Sequence, residues 1–204
     1  MDSLTNVETA RRVEAWAGEV RVNLVRTIAL VTFYGYHLID VYLSRDDPTY
    51  TPAYRTSVTA VVVGWAGVIL IAYAILRPGR LPPALPYFTV AADAVLTASL
   101  VTVSGGPRSP LVLLFVLLVG AAPLRLSRPV VYVSTAAAVL GYLATLGHYI
   151  FVRTGATAYY ADRAARISRP QEVVTVLALL TAGLLAGQIV RQSHRLTCPP
   201  RGRA

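Results

Sequence analysis

The chain has 204 residues, 55% of them hydrophobic and only 14% charged, and its net charge of +9 is carried by arginine without a single lysine. Soluble domains hold about 25% charged residues, so the composition excludes an ordinary water-soluble enzyme. The arginines fall mainly between apolar blocks about twenty residues long, the length that crosses a hydrocarbon core, so anionic lipid headgroups are nearer partners than nucleic acid. The single cysteine, Cys198, permits neither an intrachain disulfide nor a cysteine metal cluster.

Residues 2–22 are polar and mixed in charge. Leu4, Val7, Val13, Trp16 and Val20 recur at helical spacing beside Arg11 and Arg12. That pattern predicts an amphipathic helix lying on the membrane surface; a disordered tail is the alternative. Six apolar blocks follow, at about 23–43, 57–76, 87–104, 110–126, 129–152 and 172–191. Breakers punctuate them: Asp47-Pro48, Arg77-Pro78-Gly79-Arg80, Gly105-Gly106-Pro107 and Arg128-Pro129. The fourth block is short for a crossing, which implies tilt, local thinning, or a start inside the preceding turn. The link 153–171 carries Tyr159 and Tyr160, a composition suited to a membrane–water boundary.

The expected fold is therefore an all-α membrane protein. It is a bundle of about six transmembrane helices preceded by an N-terminal amphipathic interfacial helix. Residues 1–22 form a cytoplasmic segment, 23–191 the transmembrane domain, and 192–204 a basic cytoplasmic tail. With the N-terminus inside, eleven arginines fall on inner segments and seven on outer ones. This bias places both termini in the cytoplasm of a cell (inner) membrane protein.

No phosphate-binding loop, His-Glu-x-x-His or Gly-x-Ser-x-Gly motif is present, which argues against an enzyme. The polar residues inside the spans are the candidate sites. Asp93 lies mid-span, where an ionisable group costs about 2.5–3.5 kcal/mol to insert. It is either a ligand contact or an interhelical hydrogen bond. His37 and Asp40 share a helix face near the outer end of the first span, and His148 and Tyr149 lie at similar depth in the fifth. Together they could hold a quinone headgroup or a metal; an interfacial aromatic belt is the plainer alternative. Gly183 and Gly187 form a Gly-x-x-x-Gly pair in the sixth span, serving either a homodimer or packing within the chain.

Asp93 followed by Gly105-Gly106-Pro107-Arg108-Ser109-Pro110-Leu111 and an apolar run resembles the six-span input domain of bacterial sensor histidine kinases, of the redox-responsive and pilus-regulating types. The signature positions are Gly105, Gly106, Ser109 and Pro110. In the redox-responsive group this turn is linked to quinone sensing and carries Asn and Phe where Ser109 and Leu111 stand. With those two positions changed, the pattern looks more like the pilus-regulating type. The resemblance implies a regulatory module that passes a membrane or periplasmic-side signal to a cytoplasmic effector. No kinase motif surrounds His194, so the expectation is an input module without its kinase, either a piece of a longer chain or a domain with a separate effector. A small transporter or channel subunit, and a scaffold subunit of a membrane complex, are the alternatives.

Overall fold

The computed structural model describes residues 2–43, 51–79, 81–155, 159, 167 and 169–197; the side chains of residues 2–12, 40–41, 169 and 194–197 lie outside that description. The described residues form six α-helices: α1 (Asp2–Leu43), α2 (Pro52–Leu76), α3 (Leu85–Val103), α4 (Leu113–Ala121), α5 (Arg128–His148) and α6 (Arg169–Thr197). Five stretches are long and apolar enough to cross a membrane: Val13–Ile39, Pro52–Leu76, Leu85–Val103, Arg128–Thr154 and Pro170–Ser193. Large apolar side chains such as Val31, Leu70, Leu140 and Leu184 face outward, as they do when the solvent is lipid.

The separate N-terminal surface helix is not what forms. Residues 2–43 make one uninterrupted helix. No proline falls within them, so no carbonyl is clashed and no backbone donor is lost along the way. The polarity that suggested a surface helix has another cause. Glu19, Asn23 and Arg26 are buried within the bundle, on one side of a helix that continues into the span.

The short fourth block gains length by changing its pitch. α4 is extended by 3₁₀ turns at Pro110–Val112 and Ala122–Arg125. At about 2.0 Å per 3₁₀ residue and 1.5 Å per α residue, Pro110–Arg125 reaches about 27 Å, close to the ~30 Å hydrocarbon core. Other ends follow their caps. Thr51 Oγ1 accepts from the Tyr54 amide at 3.2 Å, with Pro52 at the first helical position, so α2 starts ahead of its apolar run. α5 continues through a π-helical turn at Tyr149–Thr154.

α3 sits centrally, packed against α2, α4 and α5, while α5 and α4 in turn carry α6. The core joins Val101, Phe115, Val119, Ala138, Tyr142 and Leu179. Phe115 meets Tyr142 edge-on, ring centroids 6.4 Å apart, and Gly141 admits the Phe115 ring: a Cβ there would lie 2.8 Å from Cε1. α1 lies at the periphery, packed on α2 and on the Ala122–Arg125 turn.

Candidate functional site

Two ion pairs fasten α1 to the rest of the bundle. Nearer the N-terminal end, Arg125 Nε donates to Glu19 Oε2 at 2.7 Å and Arg125 Nη2 to Oε1 at 3.1 Å. Thr89 of α3 completes this cluster. Its hydroxyl donates to Glu19 Oε1 at 3.0 Å and accepts from Arg125 Nη2 at 3.0 Å. Close approach makes the pairing feasible: a Cβ at Gly18 would lie 2.8 Å from the Leu124 carbonyl oxygen and 3.0 Å from Arg125 Cα. Trp16 Nε1 adds a bond to the Leu76 carbonyl at 3.0 Å.

Two turns further along α1, Arg26 meets Asp93. Arg26 Nε donates to Asp93 Oδ2 at 3.1 Å and Nη2 to the same oxygen at 2.5 Å. Arg26 Nη1 donates to Asn23 Oδ1 at 3.2 Å, and Trp65 Nε1 of α2 donates to Asp93 Oδ1 at 3.0 Å. Arg26 is the central residue of the crossing Val13–Ile39, and Asp93 falls one residue from the centre of Leu85–Val103. At that depth an unpaired charge is costly, and here each charge has its counter-ion and further hydrogen bonds. The cost explains why so many polar groups converge on one point.

The Arg26–Asp93 pair lines a cavity of about 260 Å³ between α1, α2, α3 and α4. Its walls are apolar, with Leu30, Phe33, Leu114 and Leu118 among them. Tyr34, His37 and Tyr54 also line the cavity, Tyr34 and His37 lying 8 and 11 residues beyond Arg26 along α1. The His37 ring lies 6.2 Å from that of Tyr34 and 5.8 Å from that of Tyr54.

Of the residues singled out from sequence, the fold brings His37 and Asp93 to this one cavity. The Asp40 side chain lies outside the described residues. His148 is not with them; it borders a separate groove between α3 and α5. Tyr149 is buried instead against Tyr159, ring centroids 6.4 Å apart, with the Arg108 guanidinium 5.9 Å from its ring centre. Among the described residues no group of three His, Cys, Asp or Glu could hold a metal ion. Glu19, Arg26, Thr89 and Arg125 were missed by sequence reasoning. The available signal was spacing: Glu19 and Arg26 lie seven residues apart, two turns along one helix face, with Asn23 between them.

The signature turn has a local physical explanation. Gly105 and Gly106 hold φ of 108° and 74°, values that glycine adopts readily. Gly106 also lies under Tyr149, where a Cβ would come within 2.9 Å of the ring. Ser109 caps the following 3₁₀ turn, its Oγ accepting from the Leu111 amide at 3.2 Å, with Pro110 first in the turn. Asparagine is an equally good cap, so Ser109 keeps the role open to the Asn of the redox-responsive group. In the sixth span, a Cβ at Gly183 would overlap Thr135, and one at Gly187 would lie 3.7 Å from the Tyr132 hydroxyl. The Gly-x-x-x-Gly face therefore packs on α5 within the chain.

An all-helical bundle with apolar crossings and a charge pair at mid-span beside a cavity defines a multi-pass membrane protein. Residues 14–193 match the family described as the PilS-like transmembrane domain, and the chain belongs to that family. The resemblance drawn from Asp93 and the Gly105–Leu111 turn is borne out in its pilus-regulating form. No curated protein and no solved structure matches the chain.

Proposed function

We propose that the chain is a sensory input module that converts the state of its intramembrane cavity into a movement of α6, read by a cytoplasmic effector. One observation carries this reading: the Ala122–Arg125 turn touches both the cavity helix and the last helix. Arg125 pairs with Glu19 of α1, and Ala122 packs with Val131, Ala186 and Val190, the last two on α6. A shift of α1 about its ion pairs therefore has a contiguous route to α6. At 29 residues α6 is about 43 Å long, more than a hydrocarbon core requires. The arginine bias supports an orientation with both termini in the cytoplasm.

The test is the output of the effector in the intact signalling protein, with expression matched. Glu19→Gln and Asp93→Asn are each expected to move basal output severalfold, and the exchange Glu19→Arg with Arg125→Glu to return it towards wild type. Wild-type output from both single variants under every stimulus tried would dispose of the reading.

A further inference from the structure

The mid-membrane ion pair has hydrogen-bonding capacity left over. A guanidinium carries five N–H donors, and Arg26 commits three of them, two to Asp93 Oδ2 and one to Asn23 Oδ1. An ionised carboxylate has about four lone-pair sites, and Asp93 fills three, with Oδ1 taking only the Trp65 indole. Spare donors and a spare acceptor thus belong to neighbouring groups that both line the cavity. The pair is neutral as a unit. An occupant that added net charge at this depth would be disfavoured by the same cost that made the pair necessary.

The rest of the cavity is built for hydrocarbon. Along α1 its lining runs from Val22 to His37, about 22 Å at 1.5 Å per residue. Its volume of about 260 Å³ lies below the range of sites for drug-sized ligands, about 300–1,000 Å³. Long and small in volume, it suits one chain laid along the helix.

We propose that this cavity binds a single-chain carboxylic acid in its uncharged form. The acid carbonyl accepts from Arg26, the acid hydroxyl donates to Asp93, and the chain lies against Leu30, Phe33, Leu114 and Leu118. An uncharged acid presents an acceptor and a donor on one carbon, matching the pair. A methyl ester of the same length offers acceptors alone, and an alkane offers neither. The proposal rests on the sensory reading for taking the cavity as the place where the signal enters.

The protein carries its own reporter. Its two tryptophans are Trp16 and Trp65, and Trp65 lines the cavity while bonded to Asp93. Trp16→Phe protein in phosphatidylcholine nanodiscs leaves Trp65 as the sole indole. Quenching by a dibrominated fatty acid, competed by octanoic, dodecanoic and hexadecanoic acids, measures occupancy. Simple partitioning into lipid gains with every methylene, whereas a cavity of finite length gives an optimum among the three acids. At the best length the acid is expected to compete about tenfold or more better than its methyl ester, the worth of a hydrogen bond to a charged partner. The paired variant Arg26→Leu with Asp93→Leu, which offers neither donor nor acceptor, is expected to erase that preference and keep the chain-length optimum. Competition that rises steadily with length, with acid and ester equal in the Trp16→Phe reporter protein, overturns the proposal, and neither measurement depends on the paired variant folding. Binding is read without the effector. Acid binding alongside unchanged output from Glu19→Gln and Asp93→Asn therefore keeps the site and removes the sensory reading. The reverse pattern keeps the sensory reading and removes the ligand.

Discussion

α4, α5 and α6 meet through shape, whereas α1 meets the bundle largely through charge. On the first side, Gly141 admits the Phe115 ring, Gly183 admits Thr135, and the buried side chains are mostly apolar. On the second side, Glu19 and Arg26 extend from α1 to Arg125 and Asp93, and a cavity lies along the helix beyond them. Lipid supplies no hydrophobic force to press helices together. Close packing binds uniformly along a contact and resists displacement, while ion pairs fix α1 at two points and leave its C-terminal half less committed. The contrast separates a rigid scaffold from an element suited to respond.

The largest expected effect breaks the charged side. Glu19→Leu leaves Arg125 buried without its counter-ion and should cost about 3–5 kcal/mol, seen as a lower midpoint in denaturant titration of the solubilised protein. Adding Arg125→Leu should recover most of that loss, because the penalty belongs to the orphaned charge. On the packed side, Phe115→Ala should cost about 2 kcal/mol, below the ~3–5 of a water-soluble core, since only packing is lost and not transfer from water. A cost as large as that of Glu19→Leu would collapse the distinction between the two sides. Gly106→Ala should cost about 1–2 kcal/mol from its left-handed backbone and should displace the Tyr149 ring, which loss of the Tyr149–Tyr159 contact by crosslinking would reveal. The smallest effect sharpens the scaffold's edge. Ser109→Ala should cost about 1 kcal/mol through the lost cap, while Ser109→Asn should be nearly neutral.

Much of the scaffold is legible in the residues. The apolar blocks expected at 57–76, 87–104 and 129–152 correspond to α2, α3 and α5 with its π turn, because lipid-facing helices must be apolar almost throughout. The block at 172–191 lies within α6, whose ends run past it into polar sequence that length and hydropathy do not count. The charged side is harder to read. Asp93 stands out because it interrupts an apolar run. Glu19 sits in a polar stretch and resembles a surface residue, and Arg125 lies at a block's end, where arginines ordinarily meet headgroups. Their pairing is a tertiary fact about which helix lies beside which. His148 shows the converse error: equal depth in the membrane does not set two residues on the same side of a bundle, and it borders a different groove from His37.

The two charges that α1 buries among the described residues have opposite signs. Moving one elementary charge across the membrane field is worth about 2.3 kcal/mol per 100 mV. When α1 slides as a rod, Glu19 and Arg26 travel together, and the electrical work on one offsets the work on the other. Sliding of this helix is therefore nearly silent to membrane voltage. A cell could charge or discharge its membrane without driving α1 through these residues, which, on the proposed sensory reading, leaves the helix to answer chemistry in the cavity beside it.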